Sequence, residues 1–221
     1  MSIPLTKAAI GLGSVSGVAG LGYLSSSYLS TPKDKKVSIS KLFEEQGRAL
    51  LIKGKDTEQW KVRWAAYVDG NKNDWKLRDY EDKKGDKGQA PESFVDACSS
   101  NAEVEVFGID DPLYEQVVKH CSKEFSISEL ISKSSKFTIL NTTESNQDTE
   151  AWKSSWQSYL EDNGDNNPWE LSTGTWSTVK ADKNNLPSDF KTKCGSKKDE
   201  KVFWDKDEKF VRFTRWCTKA N

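Results

Sequence analysis

Four cysteines and a single histidine are the residues of this 221-residue chain best suited to chemistry. Cys98 and Cys121 lie 23 positions apart, and so do Cys194 and Cys217. Thiols spaced this way can close a disulfide within each pair. They can also stay reduced in the core of a cytosolic protein, or all four can gather around zinc. Zinc ligands favour close Cys-x-x-Cys pairs, and none is present. One disulfide per pair is the expectation carried forward. It implies an oxidising compartment, and closing such a loop is worth about 3 kcal/mol in the chain-entropy picture.

His120 has no obvious catalytic partners. Nucleophilic catalysis by a triad needs a histidine base, a positioned nucleophile and an orienting group. With the cysteines paired, His120 is expected at the surface. The 34 acidic residues always offer carboxylate pairs for hydrolysis, but no pair is distinguished by its surroundings. There is no P-loop and no dinucleotide fingerprint. The sequence thus points to a non-enzyme, with no catalytic residue, cofactor or metal ligand assigned.

Two further features are candidate binding sites. Asp69-Gly70-Asn71-Lys72-Asn73-Asp74 opens like a calcium loop, with oxygen ligands at alternate positions. An EF-hand wants Gly at its sixth position and Glu at its twelfth, where this chain has Asp74 and Tyr80. Asn, Asp and Gly are also what a turn after a helix prefers, and a plain turn is the expectation. Trp60, Trp64, Tyr67 and Val68 fall at i, i+4, i+7 and i+8, as do Trp152, Trp156, Tyr159 and Leu160. Each set is one face of a helix. Buried, the stripe is core; exposed, it is a platform for sugar rings. Core packing is the expectation, and a glycan- or calcium-binding module is the alternative.

These residues recur because the chain repeats itself, and repeats govern any fold argument. Ser38-Ile39-Ser40-Lys41-Leu42 returns as Ser126-Ile127-Ser128-Glu129-Leu130, Trp75 as Trp169, and Val106-Phe107 as Val202-Phe203. Pro91, Phe94 and Cys98 return as Pro187, Phe190 and Cys194. The offset grows from 88 through 92 and 94 to 96. Each step falls in a polar stretch such as 142–149 or 162–167, where surface loops absorb insertions.

Within a repeat, Ser38/Ser40 and Ser126/Ser128 are N-cap candidates, and Gly47 should end the first helix. Phe137–Leu140 is short enough for a strand or a helix end. Asp56 or Thr57, and Asp148 or Thr149, can cap the aromatic helices. Asp111 and Asp207 can cap the last ones, whose inner faces carry Cys121 and Cys217. The expected fold class is mainly α: a tandem duplication of a disulfide-stapled helical repeat after an N-terminal hydrophobic segment. The expected divisions are 1–32, 33–124 and 125–221.

Residues 8–24 read AAIGLGSVSGVAGLGYL, apolar but rich in small residues. A membrane span needs about 17–25 apolar residues, so the segment is expected to be a signal-anchor (a transmembrane helix) or a cleaved signal peptide. The net charge of −1 gives no electrostatic footprint for nucleic acid. Asn141-Thr142-Thr143 is a glycosylation sequon, relevant only in a eukaryotic secretory pathway.

The small-residue N-terminal segment, the Ser-Ile-Ser-x-Leu opening, the Trp-x3-Trp-x2-Tyr helix and the closing Arg215-Trp216-Cys217-Thr218 together form a recognisable pattern. The chain resembles the large paralogous families of uncharacterised proteins of haemotropic mycoplasmas, wall-less bacteria that live on red blood cells. The resemblance covers nearly the whole chain. It implies a membrane-anchored or secreted protein on the extracellular face of the cell membrane. Host contact and antigenic variation are its candidate roles, with host cell-surface molecules or antibodies as partners. It supplies no active site. The first repeat departs from the closing pattern, with Lys119-His120-Cys121-Ser122 in its place.

Overall fold

The computed structural model describes residues 35–70, 72–143, 147–171 and 174–221. The expected signal segment, 1–32, lies outside them. No helix among the described residues is long and apolar enough to cross a membrane.

The described residues are mainly helical, with very short strands pinning the helix ends. In chain order the first half runs β1 (Val37–Ser38), α1 (Ile39–Gln46), α2 (Thr57–Asp69), α3 (Tyr80–Lys83), α4 (Glu92–Ala102), β2 (Glu105–Val106) and α5 (Pro112–Cys121). The second runs β3 (Phe125–Ser126), α6 (Ile127–Ser134), β4 (Phe137–Ile139), α7 (Thr149–Asn163), α8 (Trp176–Ala181), α9 (Ser188–Lys197), β5 (Lys201–Val202), α10 (Glu208–Cys217) and β6 (Thr218–Ala220).

Local chemistry sets the boundaries. Ser38 is extended, and its hydroxyl accepts from Lys41 N–H at 3.3 Å, starting α1. Ser126 does the same for α6, where Glu129 reaches back to complete a capping box. Gly47 ends α1 in the left-handed region, at φ 72°, where a side chain would be strained. Asp111 and Asp207 cap α5 and α10 through the N–H groups of Leu113 and Lys209. Asp56 departs from expectation. Its carboxylate does not cap α2; it accepts from Ile52 N–H at 2.8 Å and pairs with Lys123 at 2.7 Å. Asp148 is likewise drawn away, to Asn141 N–H and Lys219. Both carboxylates sit below the usual range. For Asp56, burial pushes up and is outweighed by Lys123 and the Ile52 amide; for Asp148, Lys219 leads.

Each half closes on itself twice. Val37 pairs antiparallel with Val106, and Phe125 with Val202. The segment after the first helix meets the one after the last: Leu50 bridges Ser122, and β4 pairs with β6 from Phe137↔Ala220 to Ile139↔Thr218. Phe137–Ile139 is thus a strand. Two hydrophobic cores stand out among the described residues, one built from positions between Val37 and Cys121, the other between Ile127 and Cys217.

The four cysteines form two disulfides, Cys98–Cys121 with Cα atoms 5.7 Å apart and Cys194–Cys217 at 5.6 Å. Each pins α4 to α5, or α9 to α10, and all four sulfurs are buried. Neither the reduced pairs nor a zinc site is formed.

Residues that do not recur hold the end of the first half, 122–124, against α2, and reach Phe203 and Trp204 of the second half. On α2, Gln59 donates to Glu124 O at 2.9 Å and accepts from Glu124 N–H at 2.7 Å. Buried Arg63 donates to Ser122 O at 3.1 Å, pairs with Glu124 at 3.0 Å and lies 4.9 Å from the Phe203 ring centre. Arg48 stacks 4.2 Å from the Trp204 ring. The positions matching Gln59 and Arg63 are Ala151 and Ser155, and the position matching Trp204 is Gly108.

Removing either disulfide by a Cys→Ala pair should lower stability by about 3 kcal/mol, read as a fall in the urea midpoint. Arg63→Ala should lower it by about 2 kcal/mol, because it strips a charged donor from Ser122 O and Glu124. A change within 0.5 kcal/mol would show that the joint between the halves does not depend on Arg63.

Candidate functional site

Tyr67 and Tyr159 are fully inside, on the aromatic face of α2 and α7. A buried hydroxyl needs partners. That of Tyr67 donates to Asn73 Oδ1 at 3.2 Å and accepts from Trp75 N–H at 2.9 Å. Asn73 Oδ1 also accepts from Leu77 N–H at 2.8 Å, and its amide donates to Leu77 O at 3.0 Å. The second half repeats this bond for bond with Tyr159, Asn167, Trp169 and Leu171. The turn bends so tightly that Lys76 and Glu170, neither of them glycine, take φ 52° and 49°. Burial raises both phenols, Tyr159 to about 12.

The two nodes differ at one corner. In the second half Trp216 stands edge-on to Tyr159 at 4.9 Å and to Trp169 at 5.0 Å. Its indole N–H donates to Asp162 Oδ2 at 2.7 Å, and Arg215 Nε donates to the same oxygen. In the first half His120 takes the place of Trp216, edge-on to Tyr67 at 5.0 Å and to Trp75 at 5.4 Å. Lys119 replaces Arg215, and Gly70 replaces Asp162. A smaller ring and a missing carboxylate leave a cavity of about 150 Å³, lined by Tyr67, Gly70, Lys72, Asp74, Lys119 and His120. His120 Nδ1 is sealed from solvent and has no hydrogen-bond partner among the described residues.

His120 is therefore not at the surface, as its lone occurrence suggested. It is 4% exposed, held between two aromatic rings. Burial is the main force that lowers it from 6.5 to about 4; Lys119 and Arg63 add to this, and Asp74 opposes it. It is neutral at pH 7.

The other sequence candidates resolve as structure. Trp60, Trp64, Trp152 and Trp156 are at most 4% exposed. Their N–H groups point to the carbonyls of Ile52, Asp86, Asn141 and Asp182. That stripe offers no ring face to a sugar. In the calcium-like loop, Asn73 is consumed by the turn and Asp69 is paired with Lys87. No group of three or more His, Cys, Asp or Glu among the described residues is placed to hold a metal ion. The larger cavity, about 350 Å³, lies against Thr149, Trp152 and Lys191, and its Lys153 is paired with Glu150.

No protein-family model, curated protein or solved structure matches the chain.

Sequence reasoning missed Asn73 and Asn167. Their signal was present: an Asn two residues before a recurrent Trp and four before a recurrent Leu. Trp216 in place of His120 goes with Asp162 in place of Gly70, positions far apart in the chain whose proximity no local signal announces.

The unfolded imidazole titrates near 6.5 and the folded one near 4. Between those values the unfolded chain binds the extra proton, so stability is full above pH 6.5 and falls as pH drops toward 4. The loss should be on the order of 3 kcal/mol at most. His120→Phe should flatten this window. Urea midpoints at pH 7 and pH 4.5 test it, and an equal loss in both proteins would assign the dependence to carboxylates instead.

Proposed function

We propose that the chain is a non-enzymatic, exported surface protein. It is a tandem duplication of a disulfide-stapled helical repeat, held at or released from the outer face of the cell membrane through its N-terminal hydrophobic segment. The observation that carries this reading is the pair of buried disulfides, each closing a 23-residue separation at matching places in the two halves. Such bonds persist in oxidising compartments. Support for the duplication comes from hydrogen bonds that recur at the offsets of the sequence repeat. Trp64 to Asp86 O and Trp156 to Asp182 O are one pair; the Tyr67 and Tyr159 nodes are another.

The polar stretches where the offset changes are the parts of such a protein free to vary. Host contact or antigenic variation, with host surface molecules or antibodies as partners, fits that arrangement. The resemblance to the haemotropic mycoplasma families belongs to this proposal and rests on the sequence pattern.

Intact cells carrying the chain should be labelled by a membrane-impermeant amine reagent without lysis. The protein should take up maleimide only after reduction and unfolding. Labelling confined to lysed cells, or four reactive thiols without reductant, would overturn the reading. Saturable binding of the oxidised protein to host-cell membranes would select host contact over a variable coat.

A further inference from the structure

We propose that the turn 72–77 is an acid-released latch: when His120 takes up a proton, the turn leaves the core of the first half while its counterpart in the second half stays closed. His120 is 4% exposed and stands edge-on to Tyr67 at 5.0 Å and to Trp75 at 5.4 Å. Its Nδ1 is sealed from solvent and has no hydrogen-bond partner among the described residues. A neutral imidazole tolerates that place. An imidazolium carries an N–H on both nitrogens, so it would bury a charge and leave the Nδ1 N–H without an acceptor, which costs far more.

The groups around the ring add to this. Lys119 precedes it on α5, Arg63 is on α2, and Lys72 is on the wall of the adjoining cavity. Asp74, on the turn, is the one acid among the cavity's lining residues. The Tyr67 phenol is raised by burial and stays neutral. Asp69, at the end of α2, is paired with Lys87. α4 meets α5 through the Cys98–Cys121 disulfide, which does not titrate, and its acids Glu92 and Asp96 are paired with Lys53. The cations outnumber the acid, so the surroundings oppose a further positive charge.

A protonated ring has to reach water, and one wall must give way. α5 is fixed: Cys121, the next residue, is stapled to α4, and Ser122 after it is bridged to Leu50. α2 is tied by Gln59 and Arg63 to residues 122–124. The turn is held by less. The Tyr67 hydroxyl accepts from Trp75 N–H and donates to Asn73 Oδ1, the Trp75 indole donates to Gln116 Oε1 at 2.8 Å, and the Trp75 ring stacks on Phe94. The cavity of about 150 Å³ already borders it, with Lys72, Asp74 and His120 on one lining. In the second half Trp216 stands in place of His120, with its indole bonded to Asp162 at 2.7 Å. An indole takes up no proton as pH falls, so that turn has no reason to open.

Release would bare the rings of Tyr67 and Phe94, on which Trp75 packs at 5.3 and 5.5 Å. The first half would then offer in acid an aromatic surface that it withholds at neutral pH. The latch does not depend on the protein being exported.

The test is amide hydrogen exchange, followed by NMR in the full oxidised chain, with each observed rate divided by its intrinsic rate. Trp75 N–H and Trp169 N–H report the two turns through matching bonds to Tyr67 and Tyr159. With an imidazole that titrates at about 4 when closed and near 6.5 when released, opening at Trp75 should rise about 20-fold between pH 7 and pH 5. Trp169 and the amides within α2 and α5 should stay level. In His120→Phe the rise at Trp75 should vanish. No rise at Trp75 in the wild-type chain would overturn the proposal. So would an equal rise at Trp169, which would assign it to carboxylates, or an equal rise throughout α2 and α5, which would mean that the first half opens as a whole. If His120→Phe does not fold, these comparisons within the wild-type chain decide alone.

Discussion

A buried tryptophan takes an N–H out of water with it, and a buried tyrosine takes a hydroxyl. Each must be hydrogen-bonded, or it costs about 1–3 kcal/mol. In both halves three such groups enter the core from one helix face: Trp60, Trp64 and Tyr67 on α2, and Trp152, Trp156 and Tyr159 on α7. Their partners are backbone carbonyls and, in each half, one asparagine, all in loops: the one before the helix, the one after it, and the one beyond the short helix that follows. Burying the stripe therefore dictates where those loops run. The loops in turn deliver Trp75 and Trp169 onto Phe94 and Phe190, stacked at 5.5 Å in each half, beside the disulfide-bearing helices. Helix, loops and staple are one consequence of finding partners for aromatic polar tips.

Against that shared framework, the differences between the halves are where chemistry can reside. The joint is one. Arg63 and Arg48 exist only in the first half, and Trp204 only in the second, so the halves dock in one order. Phe107, at the position matching Phe203, is 55% exposed, with Lys36 Nζ 5.2 Å from its ring centre. The second half has Ser155 where the arginine that would receive such a ring stands in the first. The corner of the tyrosine node is the other difference. One half answers a ring nitrogen with its own aspartate, and the other leaves a polar cavity in that place.

These two departures from symmetry carry the functional reading further than the symmetric parts do. The repeated aromatic core and the disulfides describe a scaffold suited to an oxidising compartment. They say little about partners, because a scaffold that spends its rings on its own interior cannot also offer them to a ligand. A site, if the scaffold carries one, belongs where the two copies no longer agree.

Much of the scaffold was legible in the sequence because its determinants are local. Cysteines at equal separations, aromatic residues at helical spacing, and serines and aspartates at helix starts announce pairing, a buried face and caps without reference to distant residues. The chain by itself therefore determined a mainly helical, disulfide-stapled architecture and the inward direction of its tryptophans. What depended on partners far apart in the chain was not legible. Asp56 reads as a cap and is instead claimed by Lys123. His120 reads as a stray surface histidine and is instead walled in by Tyr67 and Trp75. Arg63 carries no local signal at all, yet it sits buried at the joint between the halves. Charge and burial are set by what the fold brings alongside a residue. Only the tertiary structure could decide that the exchange of Trp216 for His120 and the exchange of Asp162 for Gly70 concern the same few ångströms of space.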